Sequence, residues 1–282
     1  MSEWISAVDA PVLKDQNNGR AADGASWFVS DVVNEKKVVS AKWMTSGLGV
    51  YELYVNGKLV GEEILKPGFT HVLKTRRSFT YDVTPLFSTK AKAQNQLSVQ
   101  VTPGWWADKI VTPNRFADGM LGKKCAFRGV LELTFADGSK KLYGTDLKNW
   151  KAGVAGPVKH AAIFDGEEYD AREPMGYECA DKFSTPEVNA EFKGEIFPSE
   201  GAEIYLRHDL TLTPVEAYIW KDVTGAKEGE FGKVVVDRTF KAGEMITVLP
   251  GETLVVDFGQ NCAGVPAFEF KAAEGTVLTC LP

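Results

Sequence analysis

Four carboxylates fall within six residues, Asp165, Glu167, Glu168 and Asp170, directly after an apolar run. Side chains of an extended segment alternate, so Glu168 and Asp170 share a side while Asp165 and Glu168 point apart. Two carboxylates roughly 5–10 Å apart across a sugar bond could carry out glycoside hydrolysis. The same oxygens could bind calcium, a hard cation that takes about 6–8 of them. The plainer alternative makes Asp165-Gly166 a turn and leaves the other carboxylates solvated or paired with Arg172. A second stretch opens with Trp105 and Trp106 and runs on through Asp108 and Asn114 with several glycines. It reads as a long irregular loop of a kind that often carries function. Aromatic faces stack on sugar C–H surfaces. Neighbours on a strand point to opposite faces, so one Trp is expected in the core and the other lining a cleft.

Other chemistry finds little support. There is no Gly-x-Ser-x-Gly and no phosphate loop. His71, His160 and His208 are isolated, without metal-ligand spacing, and are expected at the surface. Cys125, Cys179, Cys262 and Cys280 include no Cys-x-x-Cys pair, which argues against zinc. Buried free thiols are expected, or one disulfide if the protein is exported. Asp257-Phe-Gly-Gln-Asn-Cys-Ala-Gly lacks the glycine spacing of a dinucleotide loop and reads as a turn between strands.

The elements that position these residues are strands. The chain has 282 residues, 44% hydrophobic and 25% charged, with 27 Gly, 7 Trp and 16 Phe. That composition is globular, and many turns with many aromatics favour strands. The net charge is −6, and the basic residues are scattered. A nucleic-acid partner is not expected. Nor is a membrane partner, because no apolar run approaches the roughly 18 residues of a span. Met-Ser-Glu-Trp-Ile is not a secretory signal. The compartment is therefore periplasmic or extracellular if a signal was removed, and cytoplasmic otherwise.

The clearest local element is a hairpin. Tyr51, Leu53 and Val55 alternate with Val50, Glu52 and Tyr54, Asn56-Gly57 suits a type I′ turn, and Lys58-Leu-Val returns. A second hairpin pairs Ala126–Phe135 with Lys140–Tyr143 through Asp137-Gly138. Trp4–Ala7, residues 36–46, Ser78–Val83 and Asn95–Val101 read as strands, and Trp27–Val29 as an edge strand. Further strands are expected at Ile204–Leu206, Val215–Trp220, Lys233–Val236, Thr253–Phe258, Val265–Phe270 and Thr276–Cys280. The fold class is all-β, two β-sandwich domains of jelly-roll or galactose-binding-like type. Residues 1–35 are expected to join the first sandwich, which spans 36–175. Residues 176–201 read as a linker with at most one short helix. Residues 202–282 begin a second, incomplete sandwich, whose open edge predicts self-association near the C-terminus.

Three stretches, taken together, resemble the N-terminal part of bacterial α-L-rhamnosidases. They are Gly49-Val-Tyr-Glu-Leu-Tyr-Val-Asn-Gly-Lys with Pro67-Gly-Phe-Thr and Tyr81-Asp-Val-Thr; Gly104-Trp-Trp with Phe164-Asp-Gly-Glu-Glu-Tyr-Asp-Ala-Arg172; and Val256-Asp-Phe-Gly-Gln-Asn-Cys-Ala-Gly264. Their order and spacing match along most of the chain. Trp106 departs from the pattern, standing where Tyr is expected. The resemblance implies a modular protein that removes terminal L-rhamnose from glycans. Its front half is β-sandwiches, one of them in some members a calcium-dependent rhamnose-binding module. Hydrolysis, with inversion, lies in an α/α-barrel downstream. This chain would then be a non-catalytic N-terminal fragment, inactive alone. Its expected partners are that missing C-terminal catalytic domain and a rhamnose-containing glycan. No catalytic residue is assigned. The expected carbohydrate site is Trp105, Trp106, Asp108, Asn114, Asp165, Glu168 and Asp170, with calcium near Asp165 and Asp170. The alternative is a structural sandwich that braces the barrel and binds nothing.

Overall fold

The computed structural model describes residues 2–11, 24–107, 122–163, 166–227, 232–241 and 243–280. The chain forms two compact units, Met1–Tyr205 and Leu206–Pro282. The first unit opens with β1 (Ile5–Ser6), β2 (Ser26–Val33), β3 (Val38–Leu48), β4 (Val50–Val55) and β5 (Lys58–Leu59). β6 (Thr75–Asp82) and β7 (Gln94–Thr102) lead into one helical turn, α1 (Gly104–Ala107). Then come β8 (Ala126–Phe135), β9 (Lys140–Gly144), β10 (Trp150–Val154), β11 (Val158–Ala162) and β12 (Gly166–Tyr169). β13 (Glu187–Val188) and β14 (Glu195–Pro198) complete the unit.

These strands build a sandwich. One sheet runs β13-β1-β8-β3-β6-β14, with β9 also paired to β8. The other runs β10-β2-β7-β4-β5. The pleat explains how they meet. Tyr51, Leu53 and Val55 of β4 are buried and belong to one apolar cluster with Trp43, Phe127, Leu131 and Leu133 of the larger sheet. Phe127 sits at the centre of it. Its ring lies 6.1 Å from Phe28 and 5.6 Å from Trp150, both on the opposite sheet. The predicted hairpins are present. Asn56 (φ 51°) and Gly57 (φ 74°) take the left-handed conformations a type I′ turn needs, and β8 and β9 pair across Asp137-Gly138.

Two expectations need correction. β2 is no edge strand: it lies between β10 and β7, and Trp27 and Phe28 are buried on its two faces. Residues 176–201 are not a linker. Beyond a 3-10 turn at Gly176–Lys182, β13 pairs with β1, β14 runs parallel to β6, and Phe192 packs edge-on against Trp4 and Trp106. The pieces are too short for periodicity to show in the sequence, and backbone pairing with β1 and β6 holds them.

All four cysteines are free thiols. Cys125 and Cys179 are buried as expected, but Cys262 and Cys280 are exposed.

The second unit contains β15 (Glu216–Thr224), β16 (Lys233–Phe240) and β17 (Thr253–Asp257), an antiparallel sheet ordered β16-β15-β17. Arg238 clamps Glu252 with a two-bond fork, at 2.8 and 2.5 Å. The strands expected at Val265–Phe270 and Thr276–Cys280 are absent from the described residues. A strand is stable only when a neighbour takes its backbone hydrogen bonds, and these segments pair with none. Phe268 and Phe270 are exposed.

The first unit's core sets its response to alkali. Burial, above all, holds the hydroxyls of Tyr51, Tyr54 and Tyr81 well above the usual tyrosine range. The unfolded chain ionises them at about pH 10. Above that pH the folded state binds more protons than the unfolded one, so stability falls as pH rises. The Cys125 thiol, pushed up to about 12 by burial, adds to the loss. Arg76 and Lys66 oppose it, because burial lowers the guanidinium to about 10 and also lowers the amine. Three tyrosines and a thiol outweigh the two cations. After allowance for solvent screening of the partly exposed Tyr81, the loss is about 1–2 kcal/mol per pH unit. Urea midpoints measured from pH 9 to pH 11 should fall accordingly, and a flat profile would refute the assignment.

Candidate functional site

The outer face of the five-stranded sheet carries the residues of β4 that alternate with its core-facing ones. Glu52 pairs with Gln100, and Val50 with Thr102, across β4 and β7. β11 and β12 form a separate hairpin, in register Ala161↔Glu167 and Ala162↔Gly166. Between that hairpin and the sheet face lies a groove of about 450 Å³. Val50, Glu52, Tyr54, Gln100 and Thr102 line its sheet side. Ala161, Ile163, Glu167 and Tyr169 line its hairpin side. Leu65 and Gly104, the first residue of α1, also border it. The groove thus touches both stretches that the sequence singled out.

Its electrostatics are acidic. The Tyr54 hydroxyl donates to Glu52 Oε2 at 2.8 Å, which holds that carboxylate in place. Burial raises the Glu167 carboxyl above its ordinary range, and the negative Glu52 adds to the shift. Two like charges therefore line one open groove, both side chains reached by solvent. Such a site can accept hydrogen bonds strongly but repels anions.

The residues expected to form a site divide. Trp106 is only 1% exposed, and its indole N–H donates to the Lys124 carbonyl at 2.7 Å. The Arg76 guanidinium lies 4.9 Å from its ring centre, and Phe192 packs edge-on at 6.3 Å. Trp106 is a core residue. Trp105 is half-buried, and its ring meets that of Phe69, 60% exposed, at 6.3 Å. The two indoles part as expected, but on a helical turn and not on a strand. Asp108, Asn114 and Asp165 lie outside the described residues. Glu168 is exposed on β12, opposite His160, and alternation turns it away from the groove that Glu167 and Tyr169 line.

Asp170 is occupied. Arg172 Nε donates to its Oδ1 at 2.8 Å and Nη2 to its Oδ2 at 2.7 Å. That partner holds the carboxyl well below the usual range. Among the described residues no three His, Cys, Asp or Glu side chains converge on a metal position, and Asp165, the other residue of the expected calcium position, lies outside them. His160 is another correction. It is 3% exposed, not a surface residue, at a buried position of β11.

Sequence reasoning missed Glu52, Gln100, Thr102, Glu167 and Tyr169 as groove residues. A signal was present for Glu52: a charged residue on the outward face of a strong strand. Nothing local shows that a hairpin more than 100 residues later covers that face.

Comparison with known proteins bears on the whole of this chain. A family model described as the α-L-rhamnosidase N-terminal domain matches residues 36–199. A curated α-L-rhamnosidase from Alteromonas sp. (strain LOR) is 28% identical over 284 residues, 99% of this chain and 27% of that protein. The structure of Streptomyces avermitilis α-L-rhamnosidase complexed with L-rhamnose is 27% identical, with a TM-score of 0.58, over 74% of this chain and 19% of that one. The structure of α-L-rhamnosidase from Dictyoglumus thermophilum shares the fold at 18% identity, with a TM-score of 0.62, over 79% and 24% of the two chains. The chain thus spans about a quarter of the length of such relatives.

Proposed function

The chain belongs to the α-L-rhamnosidase N-terminal domain family, and on that premise we propose that it is a non-catalytic part of an α-L-rhamnosidase-like protein that binds carbohydrate. The observation that carries this reading is the groove between the five-stranded sheet and the β11–β12 hairpin. It combines what a sugar site needs: carboxylate and amide acceptors, a hydroxyl-bearing aromatic at the rim, and apolar walls from Val50, Leu65 and Ile163. Trp105 and Phe69 extend an aromatic surface from the loop and turn beside it. The Streptomyces avermitilis structure supplies the first ligand to try, L-rhamnose.

A second reading has an observation of its own. Trp106 spends its indole N–H inside the core, and Asp170 is paired with Arg172 at the surface, as in a domain that only braces its neighbours. Calorimetric titration with L-rhamnose separates the two. Carbohydrate binding predicts saturable heat with a Kd of order 1 mM, the scale expected for so small a ligand. Adding calcium or a chelator should leave that Kd unchanged. Absence of both heat and any shift in melting temperature would leave bracing as the function.

A further inference from the structure

We propose that the groove selects a neutral, hydroxyl-bearing sugar unit over an acidic one, with Glu52 and Glu167 accepting its hydroxyl protons. This rests on the reading of the chain as a carbohydrate binder and specifies the ligand class.

The argument begins with charge. Among the described residues that line the groove, Glu52 and Glu167 are the only charged side chains, and they stand on opposite walls. No Lys, Arg or His is among the described residues that line it. The Lys66 amine, whose charge Glu63 and Glu52 favour against the cost of burial, does not line the groove. It is drawn elsewhere: it lies 5.9 and 5.3 Å from the ring centres of Tyr51 and Tyr81 and reaches the Val60 carbonyl at 3.4 Å. A uronate or sulfated sugar would therefore bring a third negative charge beside two carboxylates, with no counter-charge among the described residues of the walls. A neutral sugar brings what the walls lack. Ionised carboxylates only accept hydrogen bonds, and sugar hydroxyls donate them. Bonds to charged acceptors are also the stronger kind.

Geometry supports the same choice. Glu52 spends one oxygen on the Tyr54 hydroxyl and keeps the other for a ligand. Gln100 lies directly across the ladder from Glu52, so an amide and a carboxylate meet the same edge of a bound ring. Val50 and Leu65 on one wall and Ala162 and Ile163 on the other offer apolar contact to ring C–H groups. The exposed Tyr169 ring, beside Glu167, provides a stacking face at the mouth. The raised Glu167 carboxyl fits this picture, because a hydroxyl donor would relieve the acceptor that burial and Glu52 leave strained.

The test titrates L-rhamnose and D-glucuronate into the intact chain at pH 7, in wild type, Glu52→Gln and Glu167→Gln. Wild type should bind L-rhamnose at least about tenfold more tightly than D-glucuronate. Each variant should weaken L-rhamnose by about tenfold, the scale of a hydrogen bond to a charged group. Each should also narrow the gap between the two sugars, because it removes a repelling charge. Melting temperatures report whether the variants stay folded. If either carboxylate variant unfolds, raising salt in wild type must narrow the gap by screening. Wild-type binding of D-glucuronate within about twofold of L-rhamnose would overturn the proposal, as would a gap that neither variant nor salt narrows. If both variants bind L-rhamnose like wild type and Trp105→Ala abolishes binding, the carbohydrate reading survives and this groove is not its site. If wild type binds neither sugar, the carbohydrate reading itself fails.

Discussion

Replacing Trp106 with alanine will lower the unfolding free energy by about 3–5 kcal/mol, whereas Trp105→Ala will cost less than about 1 kcal/mol. The two residues are adjacent and identical, so the difference measures environment alone. Trp106 fills a cluster with Trp4, Leu48, Val72, Ala126 and Phe192 beside the seven-stranded sheet. Its loss removes a large apolar surface and leaves the Lys124 carbonyl without its indole donor. It also strips the π face from Arg76. That guanidinium has Nη1 on Thr70 and Thr75, while its Nε and Nη2 are buried without a hydrogen-bond partner among the described residues. The aromatic faces of Trp106 and Phe192 are what surround those nitrogens. Chemical denaturation of both variants, with L-rhamnose titration alongside, checks the assignment. Wild-type stability in Trp106→Ala together with lost sugar binding would place Trp106 in a binding site and remove it from the core.

Gly49→Ala is the second large effect, with an expected cost of about 3–5 kcal/mol. Gly49 is the one residue between β3 and β4, where the chain leaves one sheet of the sandwich and enters the other. Its φ of +132° is a conformation that L side chains rarely adopt. A Cβ there would stand 2.3 Å from the Thr102 carbonyl oxygen and 2.7 Å from Val101 Cγ1. Backbone strain of about 1–3 kcal/mol and overpacking of about 1–3 kcal/mol combine at this position. Gly138→Ala is the control: φ is +81°, but nothing lies within 4 Å of the added carbon. It should cost only about 1 kcal/mol. Thr102 also lines the groove, so Gly49→Ala should weaken sugar binding as well. Equal urea midpoints for the two alanine variants would show that the close approach to Thr102 carries no energy.

Much of the sandwich was legible before any coordinates, and the reason is local. Residues 50–59 and 126–144 combine period-two alternation with turn residues that demand one geometry, so neighbours in sequence settle their own pairing. The failures share the opposite property. Glu187–Val188 and Glu195–Pro198 are strands only because β1 and β6 lie beside them. Val265–Phe270 has the alternation of a strand and forms none, because no neighbour takes its hydrogen bonds. The candidate site follows the same division. The outward side of β4 was readable, as was the separation of Trp105 from Trp106. The pairing of Asp170 with Arg172 was foreseen as the plainer alternative. The choice of Glu167 over Glu168 was not readable, because it depends on which face of the β11–β12 hairpin turns toward the sheet. Parity within an exposed acidic run cannot supply that.

The short strand β1 has a consequence for how the chain acquires its shape. Ile5 pairs with Phe127 on one side and Val188 on the other. Ser6 donates to the Cys125 carbonyl and receives a bond from the Asn189 amide. The Asn189 backbone N–H closes on the Trp4 carbonyl at 2.8 Å. The residues of β1 are thus held by partners more than 100 positions away, and joining segments so distant costs about 4–5 kcal/mol of chain entropy. Two residues of strand cannot offset that early in folding. β1 can lock only after β8 and β13 have been brought together by the rest of the core. β1 therefore stays unpaired until nearly all of the first unit is in place, and the seven-stranded sheet is completed there last.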